Sequence, residues 1–464
     1  MNRKIGLLPL GRSTFDVEFA NQMLSAMLAA LDATGNELVG PRELLFDAEA
    51  TRNAIAELKE AGPTDLLILQ VTFTDAAMTA EAAAAFDLPL GIWAVPEPRL
   101  GGRLRLNAFC GLNLAAHALG LRDRDFSWLY ADPTGEGIGA DLEDLLAGKR
   151  LARPVLASAS ADLRTPSGDR VVADLRGSRI GRIGEHPAGF DTCRYDSGKL
   201  VSLAGVEVSE LTLGDLFGRA AEVPANVAAG TRKEAQGLLD GLDNVDQPQL
   251  DRSLRLKTAI EDIRKQGSFD AFAIRCWPET FTEYGGAVCG PVSMLGEKRL
   301  PCACEADVYG ALTSLMLQKV ADAPVFLVDL VDVDAGDNTA VVWHCGQAPV
   351  SMASPATHPH ATIHTNRKMP LLFEFTLKPG RVTFARISQA RGETRMVIAS
   401  GEMLEAPMAF TGTSGVLRFD TPAPELLERI MGAALEHHMA LAYGDHRDTL
   451  RGVAAALGID ILEL

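Results

Sequence analysis

Four side chains able to hold a cation lie far apart in the chain, each at the end of a predicted element: Glu305 in CEADVYGALT, Asp329 in VFLVD, His344 in VVWHCG and His438 in EHHMALAYGD. Two carboxylates with one or two imidazoles form a harder donor set than a thiolate zinc site. They suit Mn²⁺ or a similar divalent ion, with Mg²⁺ or Co²⁺ as alternatives. Asp329 carries the most weight, because it follows Val325-Phe326-Leu327-Val328 and a carboxylate inside a buried parallel strand is costly unless a cation or donors satisfy it. Glu305 precedes a helix expected over 306–320, where plain capping would equally explain a carboxylate. His344 ends TAVVW and meets Cys345-Gly346, a turn that exposes its ring at a sheet's carboxyl edge. Strand parity separates the late pair: His437 shares a face with Met439, Leu441 and Tyr443, and His438 shares one with Ala440 and Ala442, which leave room for an ion.

Other chemistry-bearing residues have blander readings. Asp332 and Asp334 read as the solvated end of the Asp329 strand. Cys302-x-Cys304 has no second thiol pair at finger spacing and reads as packing. His358, His360 and His364 form a polar loop with a lesser claim on ligand. Phe73 and Trp277 close strands, where each could stack on a sugar or serve equally as core. The chain has neither a P-loop nor G-x-G-x-x-G.

The elements that must position these groups fall into three stretches. Residues 1–152 alternate apolar strands (5–11, 66–73, 89–95) with helical patterns, as a doubly wound α/β domain does. Residues 153–349, after a Pro/Ser/Asp-rich break, repeat that pattern with a strand running into a Gly/Pro loop over 179–190 and strands at 269–277 and 324–331, and carry the carboxylates. Residues 350–464 change to short alternating runs split by Gly turns, an antiparallel β-barrel or sandwich, followed by a helix at 423–436 and a βα-like tail with the late His pair.

With 464 residues, 47% apolar, and a net charge of −17 from 44 basic and 61 acidic side chains, the chain can bury large cores and repels nucleic acid and anionic membranes. No apolar run is long enough to cross a bilayer, and MNRKIGLLPLGR lacks a signal-peptide core. The seven cysteines have no disulfide spacing, so the reading is a soluble, cytoplasmic protein.

The ordered motifs resemble the L-fucose/L-arabinose isomerase family. CEADVYGALT is similar to its acidic segment, Asp329 stands 24 residues after Glu305 as in the fucose branch, GDNTAVVWH resembles the arabinose branch, and EHHMALAYGD resembles its late His-His pair. The resemblance implies a metal held by Glu305, Asp329, His438 and His344, with Glu305 and Asp329 as acid and base. It implies aldose–ketose interconversion through an enediol and a trimer or hexamer with sites near subunit interfaces. It also implies a sugar-contacting Arg12 that reaches a neighbouring subunit's site. Ala434, where the fucose branch has a substrate-contacting Asn, leaves the sugar open. The acidic composition is compatible with a neutral sugar and gives no sign of a phosphosugar pocket. Two rival readings are a non-catalytic sugar-binding protein and a metal-dependent epimerase or lyase sharing the enediolate step.

Overall fold

A computed structural model describes residues 3–464, and among them 18 strands form three sheets. The first holds β1 (Lys4–Leu10), β2 (Glu37–Val39), β3 (Asp65–Gln70), β4 (Leu90–Ala94) and β5 (Ser127–Tyr130), all parallel, in the order β2-β1-β3-β4-β5. Every residue of β3 and β4 is buried, which is why both read as unbroken apolar runs. The order reverses between β1 and β3, so the loops leaving their carboxyl ends, which carry Arg12 and Phe73, open a crevice.

The second sheet repeats this logic with β6 (Arg179–Ile183), β7 (Glu207–Leu211), β8 (Ala271–Ile274) and β9 (Cys302–Ala303), parallel in the order β7-β6-β8-β9. Its carboxyl edge delivers Trp277 after β8 and Glu305 after β9.

The third sheet has nine strands: β10 (Phe326–Asp334), β11 (Thr339–His344), β12 (His360–Thr362), β13 (Leu372–Thr376), β14 (Gly380–Ser388), β15 (Arg395–Met403), β16 (Thr413–Phe419), β17 (His438–Tyr443) and β18 (Asp460–Glu463). The Asp329 strand therefore differs from expectation. It is not a parallel strand of the central sheet but runs antiparallel to both neighbours, with Asp329 opposite Trp343 on β11 and His438 on β17. The cause is local: Asp334 Oδ1 accepts the Gly336 N–H at 2.7 Å and Asn338 is left-handed (φ 57°), so residues 334–338 turn the chain straight back as a hairpin. The expected antiparallel unit at 350–464 is accordingly part of a mixed sheet that takes in two earlier strands and contains parallel pairings, β13 with β16 and β15 with β18. β15 also pairs with β16.

Helix Ala108–Gly120 is buried at every position, as an all-round apolar helix must be. It packs against β3 and β4 of the first sheet and β10 of the third, tying the two together. Among the described residues no helix is long and apolar enough to cross a membrane.

Candidate active site

Glu305 sits in a one-turn segment between β9 and helix Val308–Ala321, with Glu305 (φ 58°) and Ala306 (φ 55°) both left-handed. That turn aims Glu305 into a pocket also lined by Asp329, His344, His437, Trp277, Phe73 and Arg12. Helix capping does not explain Glu305. The cap is Asp307, whose Oδ1 accepts the Gly310 N–H at 2.8 Å. Glu305 is instead engaged by side chains: the Trp277 indole N–H donates to Oε1 at 3.1 Å, and His437 Nε2 lies 3.1 Å from Oε2. Burial opposes ionisation of Glu305, but His437, His438 and Trp277 outweigh it and hold the carboxyl below its ordinary range.

His438 is oriented from behind. Its Nδ1 lies 2.9 Å from Asp307 Oδ2, and Arg386 donates twice to the same carboxylate, at 2.5 and 3.1 Å. Asp307, Arg386 and His438 are each no more than 2% exposed. Despite burial, Arg386 and His438 keep Asp307 far below the usual carboxylate range. Gly310 permits this packing, since a Cβ there would lie 2.5 Å from Asp307 Oδ2. An acceptor on Nδ1 assigns the proton to that nitrogen and leaves the Nε2 lone pair of His438 free to face the pocket. Burial and the neighbouring His437 lower the His438 pKa, keeping the ring neutral.

The free Nε2 faces two carboxylates, with Asp329 Oδ1 at 3.3 Å and Glu305 Oε2 at 3.7 Å. Donor atoms of Asp329, His344 and His438 all lie within 4.8 Å of one another. Asp329 Oδ1, His344 Nε2 and His438 Nε2 are buried atoms lacking hydrogen-bond partners among the described residues. Buried polar atoms rarely go unpaired, and ligands in adjacent positions around a hard divalent ion at about 2.1 Å stand about 3 Å apart. Asp329 Oδ1 and His438 Nε2, with Glu305 Oε2 beside them, fit such an ion. His344 differs from His438 in one respect: its Nδ1 accepts the Cys345 backbone N–H at 2.9 Å, which assigns its remaining proton to Nε2.

The other expected residues divide. Arg12 lines this chain's own pocket and pairs with Asp75 at 2.6 Å. Trp277 touches Glu305 directly. Phe73 serves as core and wall together, 8% exposed and set between Phe15 and Phe190 with Arg12 over its ring. His364 lines the pocket, while His358 and His360 are exposed. Asp332 is not solvated: it is buried, accepting from Arg99 and Tyr130, whereas Asp334 is exposed as expected. All seven cysteines are free and buried.

His437, Asp307, Arg386 and Arg367 also lie at or beside this pocket, and the sequence placed none of them there. His437 precedes β17, so strand parity does not bind it, and its ring centroid lies 4.0 Å from that of His438. Arg386 carried a usable signal, since it lies in the stretch of β14 that is buried on both faces, between Phe384 and Ser388, and an arginine there needs a buried anion.

A model of the fucose/sulfoquinovose isomerase N-terminal domain matches residues 6–165, and one of the L-fucose isomerase C-terminal domain matches residues 342–464. A sulfoquinovose isomerase of Clostridium sp. (strain MSTE9) is 30% identical over 462 residues, covering 98% of each chain. The chain belongs to the fucose/sulfoquinovose isomerase family. It is thus a sugar isomerase. A sulfoquinovose isomerase of Priestia megaterium (strain ATCC 12872 / QMB1551) is 29% identical over 461 residues, covering 99% of this chain and 98% of its own. A solved sugar ABC transporter structure from Yersinia enterocolitica subsp. enterocolitica 8081 is 12% identical with a TM-score of 0.24, over 70% of this chain and 79% of that one, too slight a likeness to carry an argument.

Proposed function

We propose that the chain is a divalent-metal-dependent aldose–ketose isomerase acting on sulfoquinovose, a hexose with a sulfonate on C6. The observation that supports this best is the pair of unpartnered buried atoms, Asp329 Oδ1 and His438 Nε2, which lie 3.3 Å apart, with Glu305 Oε2 3.7 Å from the latter, at the pocket that Glu305 and Asp329 line. The full-length likeness to curated sulfoquinovose isomerases supports the substrate. Glu305, Asp329 and His438 would hold the ion, with His344 beside them. Bound there, Mn²⁺ or a similar ion would polarise the sugar carbonyl and stabilise negative charge on its oxygen.

The chain's own groups move the proton. Isomerisation takes a proton from the carbon next to the carbonyl and returns one to the former carbonyl carbon, through an enediol. Glu305 is kept ionised by its three neighbours and Asp329 has an open oxygen, so both line the pocket as proton acceptors and donors. Trp277 and His437 fix the Glu305 carboxylate, and Asp307 fixes His438, so little reorganisation accompanies the transfer. His344 Nε2–H can donate to a sugar oxygen. By family resemblance the working protein is a trimer or hexamer.

The test is to incubate sulfoquinovose with enzyme in D₂O before and after chelation, and again with Mn²⁺ restored. Metal-dependent formation of the ketose, with solvent deuterium on the carbon that receives the proton, is the expected result. Undiminished turnover by chelated enzyme would reject the metal, and binding without turnover would leave a sugar-binding protein.

A further inference from the structure

We propose that Arg12 and Arg367 form a subsite for a singly charged anionic end of the sugar, a terminal sulfonate, and that Arg367 is the residue that selects such a sugar over a neutral one. This deepens the isomerase reading and rests on it for the orientation of the substrate. Trp277 marks out the geometry. Its indole N–H donates to Glu305, while its ring lies 5.2 Å from the Arg12 guanidinium and 4.8 Å from that of Arg367. The pocket thus brings together a carboxylate–imidazole group at the indole N–H and two guanidiniums over the indole ring.

The charges at the guanidinium end do not cancel. Arg12 is paired with Asp75 at 2.6 Å. Arg367 makes no ion pair among the described residues, although it is half-buried and lies over two aromatic rings, Trp277 and Phe281 at 5.4 Å. With Arg12 held by Asp75, the Arg367 charge is the one without an ion-pair partner among the described residues, and a sulfonate matches it. Aromatic surroundings strip water from Arg367 and strengthen its pull on an anion, and a neutral sugar leaves that desolvated charge without a partner. The loop carrying it is folded for the purpose: the Arg367 N–H donates to His364 O at 3.2 Å, and Arg103 fixes Asn366 Oδ1 at 2.6 Å. The chain's net charge of −17 repels an anionic substrate at long range, so local cations are required for capture.

The experiment compares Mn²⁺-loaded wild type, Arg367→Gln and Arg367→Lys, all checked for equal thermal unfolding, on sulfoquinovose, glucose and glucose 6-phosphate. Binding is measured by calorimetry and turnover by ketose formation. Loss of a charge-assisted contact should weaken sulfoquinovose binding about 10–100-fold in Arg367→Gln, leave glucose within about threefold, and be partly rescued in Arg367→Lys. Equal losses for sulfoquinovose and glucose, or unchanged sulfoquinovose binding, would overturn the subsite. Glucose 6-phosphate binding as tightly as sulfoquinovose would overturn its selectivity for sulfonate. Selective weakening of sulfoquinovose binding with no turnover of any sugar would uphold the subsite while rejecting the isomerase reading.

Discussion

Replacing Asp307 by Asn separates the roles that this carboxylate combines. Asn caps helices as well as Asp does, so the bond to the Gly310 N–H can survive, and the loss falls on Arg386 and His438. Arg386 is 2% exposed and donates twice to Asp307, and removing one partner of a buried pair costs about 3–5 kcal/mol because the other charge stays buried. His438 also loses the anion that orders its Nδ1 proton, and loss of such a partner weakens metal binding about 10–100-fold. Urea unfolding and Mn²⁺ titration by calorimetry measure the two effects. The double variant Asp307→Asn/Arg386→Gln should recover much of the stability, since no unpaired cation remains, while its Mn²⁺ affinity stays low. An Asp307→Asn protein with stability within about 1 kcal/mol of wild type and unchanged Mn²⁺ affinity would refute the reasoning.

Glu305→Gln should fold normally and lose about 10²–10⁴-fold in kcat, read by steady-state ketose formation beside a far-UV dichroism spectrum. Trp277→Phe keeps the ring but removes the N–H to Glu305 Oε1, so kcat/KM should fall about tenfold with the unfolding midpoint little moved. Glu97 gives a pH prediction. Burial pushes its carboxyl up to about 7, even though it accepts the backbone N–H groups of Arg105, Leu106 and Asn107. The folded state then binds this proton more tightly than the unfolded chain, so its contribution to stability is present in acid and is lost as pH rises from about 4.5 to about 7, on the order of 3 kcal/mol. Urea unfolding from pH 5 to 8 should show this slope in wild type and lose it in Glu97→Gln.

The first parallel sheet was legible because strands buried on both faces leave unbroken apolar runs such as LLILQ and LGIWA, with helical periodicity between them; of the second, β6 and β8 were legible, whereas β7 has no buried residue and β9 is two residues long, so neither leaves such a run. The sheet that takes in β10 and β11 was not. An apolar run does not reveal the direction of its neighbour, and the hairpin at 334–338 is built from Asp334 and Asn338 in a turn that resembles a solvated strand end. Asp329 stood out as costly inside its strand, and it is buried there with Oδ1 lacking a hydrogen-bond partner among the described residues, although the strand is antiparallel. Asp332 escaped because its partners, Arg99 and Tyr130, lie more than 200 residues away in sequence. His437 was set aside on strand parity, which does not govern a residue just before the strand. Arg367 carries no local motif, and its place over Trp277 and Phe281 depends on tertiary folding alone.

Anomalous diffraction from Mn²⁺-soaked crystals locates the cation among Glu305, Asp329 and His438. A single strong peak is expected within about 2.0–2.5 Å of Asp329 Oδ1 and His438 Nε2 and beside Glu305, lost on Asp329→Asn substitution. A peak away from these atoms in crystals of active, Mn²⁺-dependent enzyme would contradict that placement.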